Sequence, residues 1–199
     1  MAATIVLYVT LPDRFVLGPK WVLPALEASL LVPLSLTAPH RRVDESRQRR
    51  LAALALIALV NIANVASLAL LVHSIVRGSR FSGHDLIYSA IQIWLTNAVV
   101  FGLWYWELDG GGPAVRLSAE RRRPDFLFPQ MTNPEASGVP GWKPMFFDYL
   151  YVSFTNATAF SPTDTMPLTL WAKGLMLAQS LASLITVALV AARAVNILS

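Results

Sequence analysis

The chain of 199 residues contains no cysteine, and Asp, Glu, Lys and Arg together make up only 14% of it. The missing cysteines exclude a disulfide scaffold and leave the compartment open, because a bilayer supplies what a small secreted domain gains from crosslinks. The scarce charge excludes more. A soluble domain carries about 25% charged residues, so roughly half the charge needed to cover a globular surface is present. A hydrophobic content of 55% rules out disorder. With a mean hydropathy of +0.51, lipid rather than water is the solvent that fits. Acids are also the minority charge, twelve against sixteen bases, for a net charge of +4. The bases lie between apolar runs, where membrane proteins place them, so nucleic acid is set aside as a partner. Three histidines (His40, His73, His84) lack metal-ligand spacing, and neither a Ser-His-Asp set nor a phosphate-cradling glycine motif occurs. No enzymatic activity, metal or cofactor is expected, and the absence of inverted repeats or paired broken helices argues against a transporter.

What is present are long apolar runs. Leu51 to Val76, Leu86 to Trp106 and Gly174 to Ala192 contain no Asp, Glu, Lys or Arg. Crossing a hydrocarbon core of about 30 Å takes ~20 helical residues, and all three runs are near or above that. Trp21 to Ala38 is a fourth candidate span, interrupted by Pro24, Glu27 and Pro33. Residues 1–17 are too short to cross and lack the charge order and cleavage site of a signal peptide, which predicts a membrane-surface or half-inserted segment. The expected fold is therefore an all-α integral membrane protein with four transmembrane helices, lodged in the bilayer as a multi-pass protein.

Two connections carry ten of the sixteen basic residues: His40 to Arg50, with five Arg, and the Gly- and Pro-rich Asp109 to Lys143, with Arg121-Arg122-Arg123. Two spans separate them, so they share a side, and the positive-inside rule makes it the cytoplasmic one. Trp104-Tyr105-Trp106 ends the third span as an aromatic belt, and Glu107 and Asp109 are expected to pair with Arg116 or the triple Arg. Asn61, Asn64 and Ser67, and Gln92 and Asn97 in the next span, are expected to bond between helices.

The most informative segment is Phe146 to Thr169, FFDYLYVSFTNATAFSPTDTMPLT. Its first fourteen residues predict a helix of about 21 Å, too short to cross unaided. Two readings are open: a helix that half-enters the membrane followed by a returning loop, or an amphipathic helix on the surface. Backbone at membrane depth must be buried in protein or line a wet cavity, so the first reading points to a permeation path.

The stretch Thr155 to Lys173 resembles the pore helix, filter and inner-helix start of the potassium-channel pore family, whose pattern is A-T-T-V-G-Y-G-D-x-x-P-x-T followed by a basic residue. Ala157, Thr158, Asp164, Pro167, Thr169 and Lys173 match without gaps, and Tyr151 and Ser153 fit the aromatic and hydroxyl positions of the pore helix. The layout is also similar to that of uncharacterised bacterial multi-span membrane proteins with a Gly-Gly loop after the third span, which implies the plasma (inner) membrane. The resemblance covers Leu86 to Ile197 at most and implies a pore-like module over 84–199; the apolar runs before it make 1–83 an N-terminal membrane region with two peripheral spans. That module would comprise an outer helix 84–107, a loop 108–145, a re-entrant pore helix and filter-like loop 146–165 between the third and fourth spans, and an inner helix 166–197. It further implies a homotetramer around one axis and monovalent cations as permeating partners.

The filter departs from the pattern: Ala159-Phe160-Ser161-Pro162-Thr163 stands where the family has T-V-G-Y-G. That filter stacks backbone carbonyls in a geometry that its glycines permit by reaching positive φ. Ser161 and Thr163 would be strained there, and Pro162 fixes its own φ and pushes Ser161 toward extended backbone. A potassium-selective filter is therefore not expected. What remains at the narrowest point is Thr158, Ser161 and Thr163 hydroxyls, the Asp164 carboxylate and the Phe160 ring. Phe160 reads either as a dewetting gate or as a core side chain, and Asp164 as a brace for the loop that secondarily draws cations. Gln179, Ser183 and Thr186 read as pore-lining candidates on the inner helix or as helix–helix glue. The functional expectation is a weakly selective cation pore or a closed pore. The alternative is a non-conducting membrane scaffold or accessory subunit that keeps pore architecture. Orientation stays open, because the charge rule brings the pore loop in from the cytoplasm and the potassium-channel resemblance requires entry from outside.

Overall fold

The structure is a computed structural model that describes Val6, Thr10, Leu11 and residues 47–77, 83–118, 122–133, 135, 141–158 and 164–198. The candidate span Trp21 to Ala38 lies outside the described residues, as do Ala159, Phe160, Ser161, Pro162 and Thr163. The described chain is mostly helical. Its elements are α1 (Arg47–Val76), α2 (Gly83–Leu108), α3 (Pro113–Leu117), β1 (Phe126–Leu127), α4 (Pro129–Thr132), α5 (Phe146–Thr158), β2 (Met166–Pro167) and α6 (Leu170–Leu198).

Three of these helices are long and apolar enough to cross a membrane, over Arg50–Val76, His84–Gly111 and Leu170–Ala192. They contain the three uncharged runs of the sequence, and they mark the chain as a membrane protein. In α1 and α6 the apolar residues are spread around the whole helix rather than gathered in a stripe, as expected where lipid and protein are equally apolar neighbours. The central helix is α2: 61% of its apolar span is buried within the chain, against 39% for α1 and 17% for α6.

Both α1 and α6 run antiparallel to α2. Ile57 and Val60 of α1 cluster with Val100 of α2, while Leu68 and Leu71 cluster with Leu86, Ala90 and Ile93. Leu11 fills the far end of that second cluster and is 3% exposed. Thr10 beside it accepts a hydrogen bond from Gln92 Nε2. Thr10 and Leu11 thus lie against the side of α2 at the level of Gln92. Along α6, Ala172 packs with Phe101 and Tyr105, and Leu189 and Val190 pack near Leu86 and Ala90. The start of α1, the end of α2 and the start of α6 therefore lie at one end of the bundle. Arg50, at the start of α1, lies there against Gly112 in the turn that follows α2.

At that end the chain builds a compact cap. After Leu108 the backbone turns through Gly110, Gly111 and Gly112 at φ of 56°, 89° and 99°, values open to glycine and strained for other residues. A Cβ on Gly112 would meet the Glu107 carbonyl oxygen at 3.1 Å, so the turn also needs the missing side chain for space. Phe126 on β1 is wholly buried, with ring centroids 5.0 Å from Tyr105, 6.3 Å from Tyr149 and 6.2 Å from Trp171. Such pairs contribute about 0.5–1.5 kcal/mol each beyond the area they bury. β1 pairs antiparallel with β2, Phe126 opposite Pro167 and Leu127 opposite Met166. The Leu168 N–H donates to the Asp125 carbonyl at 2.8 Å, continuing the link.

Candidate functional site

The segment that the sequence singles out forms α5, a helix of thirteen residues, or about 20 Å. It begins in the cap, where the Met145 N–H donates to the Asp148 carboxylate at 2.6 Å and an acid sits in the first turn, as the helix dipole favours. From there it runs back along α2. Tyr149 lies against Trp106, Leu150 against Gly102, and the Ser153 hydroxyl donates to the Ala98 carbonyl at 2.6 Å. The Trp94 indole N–H then donates to the Ala157 carbonyl at 3.3 Å. Gly102 makes this approach possible, since a Cβ there would come within 3.2 Å of the Leu150 Cα.

These contacts fix how far α5 travels. Trp94 is near the middle of α2, ~17 Å from its first residue and ~21 Å from its last at 1.5 Å per residue. On α6 the same level is reached at Met176 to Ser180: Asn156 Nδ2 donates to the Met176 carbonyl at 2.9 Å, and the Ser180 hydroxyl to Asn156 Oδ1 at 3.0 Å. Yet Thr165 is buried and Met166 is paired with Leu127 back in the cap. Thr158 and Thr165, seven positions apart, therefore stand at different levels of the bundle, one at mid-height and one at the end where α5 began.

A polar junction among α2, α5 and α6 holds this placement. Its centre is Gln179, wholly buried. Its amide N–H groups donate to the Ser153 carbonyl at 2.8 Å and the Ser153 hydroxyl at 2.7 Å. Its Oε1 accepts from the Tyr105 hydroxyl at 2.6 Å and from Asn156 Nδ2 at 2.8 Å. All four bonding positions of the amide are thus filled, which removes the cost of burying it. One turn on, Asn97 Nδ2 donates to the Gln179 carbonyl at 3.2 Å and the Ser183 hydroxyl at 2.9 Å. Thr186 donates to the Ala182 carbonyl within its own helix at 2.8 Å.

Of the residues predicted from sequence, Gln179, Ser183 and Thr186 are thus buried against the chain's own helices. The outward face of α6 carries Leu177, Leu181, Leu184, Ile185 and Val187 instead. Thr158 closes the end of α5, its hydroxyl donating to the Thr155 carbonyl at 2.8 Å, and Asp164 is exposed. Asn97 bonds between helices as expected. Gln92 bonds to Thr10, and on α1 Ser67 Oγ and Asn61 Oδ1 are buried with no hydrogen-bond partner among the described residues. Tyr105, which read as a belt aromatic, and Asn156, which the sequence did not single out, prove to be members of the junction. Their signal in the sequence was weak, a polar tip at the edge of an apolar run.

The expected pairing of Asp109 with Arg116 takes a different form. The Asp109 carboxylate, wholly buried, accepts the N–H groups of Asp125 at 2.6 Å and Phe126 at 3.2 Å, and the Tyr149 hydroxyl. Arg116 instead donates to the carbonyls of Trp106 at 2.8 Å and Asp109 at 2.7 Å, and lies over the Trp106 and Tyr149 rings at 4.5 and 5.1 Å. The last carbonyls of a helix lack partners and carry its negative pole, so a guanidinium satisfies both needs there. Burial first, and the Asp109 carboxylate next, push the Tyr149 phenol well above its ordinary range, keeping its proton in that hydrogen bond. Asp109 and Tyr149 thereby clamp the first turn of α5 to the end of α2.

Among the described residues no cluster of three or more His, Asp or Glu side chains is placed to hold a metal. Neither a family model, nor a curated protein, nor a solved structure matches this chain.

Proposed function

We propose that this chain is a pore-module subunit of an ion-channel-like membrane protein. In this reading α5 and the loop to residue 165 form a re-entrant excursion between the last two of four spans, and Trp21 to Ala38 supplies the first span. Four copies around one axis, as the potassium-channel resemblance implies, would bring four such excursions together. The observation that carries the reading is the level of α5. It starts in the cap, ends beside Trp94 at the middle of α2 and Met176 in the second turn of α6, and the chain is back in the cap by Met166. A surface-lying amphipathic helix has no reason to run down the side of a spanning helix.

The chemistry follows from that placement. The C-terminal end of a helix carries about half a negative charge, and α5 would present this end at membrane depth, where low dielectric strengthens its attraction for cations. Thr158, Ser161 and Thr163 would surround that point with oxygens, Asp164 would lie nearer the cap, where it can draw cations toward the path, and Ala159-Phe160-Ser161-Pro162-Thr163 would replace a carbonyl-stack filter. Selectivity among monovalent cations is then weak, with the Phe160 ring as the constriction. Replacing Phe160 with Ala tests this: cation flux into reconstituted liposomes should rise at least several-fold over the parent protein.

A second reading is favoured by the outward face of α6. With Gln179, Ser183 and Thr186 used inside the chain, the remaining surface is apolar, and an axis lined by it would be dry. The protein is then a non-conducting membrane scaffold or accessory subunit that keeps the pore layout. Background leak from both the parent and Phe160→Ala would replace the first reading with this one.

A further inference from the structure

The cap carries a feature that neither pore reading uses. Three arginines converge on an open cleft of about 730 Å³ between the cap and the start of α6, lined by Arg50, Arg122 and Arg123 on its charged side. The glycine turn brings two of them down onto backbone: a Cβ on Gly111 would lie 3.1 Å from Arg122 Cδ, and one on Gly112 only 3.3 Å from Arg50 Nε. Arg50 Nε is buried and has no hydrogen-bond partner among the described residues, an expensive state for a guanidinium N–H. Among the described residues lining the cleft, Asp125 is the sole carboxylate. Its Oδ2 accepts the Gly110 N–H and its Oδ1 the Trp171 indole N–H, each at 2.9 Å. The acid is spent on holding the wall, and the guanidiniums outnumber it.

The opposite wall is apolar, with Leu108, Trp171 and Leu175, and it opens at Gly174, where an added Cβ would meet nothing within 4 Å. Gly174 and Ala178, one turn apart and both exposed, carry little or no side chain, so that strip of α6 is recessed beside the exposed Leu177 and Leu181. The cleft lies at the end of three apolar helices with Trp171 in its wall, the level at which interfacial aromatics sit and lipid phosphates lie.

We propose that this cleft binds the phosphate group of an anionic phospholipid, with Arg50, Arg122 and Arg123 around the phosphate and one acyl chain along the recessed strip at Gly174. Arginine suits this ligand because its planar fork meets phosphate oxygens in pairs. The strip distinguishes a lipid from free phosphate, which has nothing to place there. The proposal is independent of whether the protein conducts.

The full chain, delipidated in detergent, is mixed with equimolar phosphatidylglycerol and phosphatidylcholine, and retained lipid is counted by native mass spectrometry. Phosphatidylglycerol should be retained about tenfold over phosphatidylcholine, each basic side chain near a lipid phosphate contributing a severalfold factor. Combined Arg122→Gln and Arg123→Gln substitutions should bring the two lipids close to parity, while Arg77→Gln at the far end of α1 should leave the preference intact. Gly174→Leu, which fills open space and leaves the cap untouched, should also lower phosphatidylglycerol retention. Equal retention of both lipids by the parent protein overturns the proposal, as does a preference that survives the double substitution or Gly174→Leu. Millimolar inorganic phosphate that binds with the same Arg dependence and abolishes lipid retention identifies free phosphate as the ligand and likewise overturns it.

Discussion

Replacing Gln179 with Leu separates a residue that holds helices together from one that lines a path for ions. Leucine keeps most of the volume and removes four hydrogen bonds at once: two donated to Ser153 and two accepted from Tyr105 and Asn156. The Ser153 hydroxyl keeps the Ala98 carbonyl, and Asn156 Nδ2 keeps the Met176 carbonyl. The wholly buried Tyr105 hydroxyl loses its acceptor. Interhelical hydrogen bonds in membranes average about 0.6 kcal/mol, so four amount to ~2.4 kcal/mol, and the orphaned hydroxyl keeps the loss in the range of about 2–3 kcal/mol. Tyr105→Phe alone should cost about 1 kcal/mol. Added to Gln179→Leu it should cost nothing further, because the hydroxyl it deletes is already unpaired. Reversible unfolding in mixed micelles with increasing dodecyl sulfate, followed by circular dichroism, measures all three variants. Additive losses in the double variant, or a loss below about 0.5 kcal/mol in Gln179→Leu, would refute the junction as the element that positions α5.

Asp109→Asn turns one acceptor oxygen into an NH2 facing the N–H groups of Asp125 and Phe126 or the Tyr149 hydroxyl, and should cost about 1–3 kcal/mol in the same unfolding assay. Its near-ultraviolet circular dichroism should also weaken, since Tyr149, Trp106 and Phe126 share that cluster. Gly112→Ala forces a Cβ to 3.1 Å from the Glu107 carbonyl oxygen at φ of 99°, for a loss of about 1–3 kcal/mol. Gly174→Ala, with open space around it, should leave thermal stability unchanged or slightly raised, as helix propensity favours alanine.

The three long apolar helices were legible because an uncharged run of about twenty apolar residues has few other uses. Leu51 to Val76 and Gly174 to Ala192 each fall within one helix of the structure. The start of the helix at Phe146 was legible too, as an aromatic run after a Pro- and Gly-rich loop. What the polar residues do was not. Gln179 and Ser153 are 26 positions apart, Gln179 and Tyr105 74, and Ser183 and Asn97 86, and helical spacing alone cannot say whether a polar face meets water, a pore or another helix. The reading of Asp109 went astray for a related reason. Counting charges suggests a salt bridge, whereas a glycine turn and the unpaired carbonyls ending α2 create backbone partners that charge counting does not see.

Depth and sidedness of residues 146–165 decide the account, and the absence of native cysteine makes single-cysteine labelling clean. Cysteine is placed one position at a time at Gln48, Arg77, Phe154 and Asp164, all exposed, and a membrane-impermeant maleimide is applied to either face of sealed, oriented vesicles. Position 164 should react from the same face as position 48 and opposite to position 77, while position 154 stays unreactive from both. Reaction at 164 from the face that labels 77 would mean that the segment crosses. Labelling at 154 as fast as at 164 would mean that it lies along the surface, and either result contradicts a return excursion into the membrane.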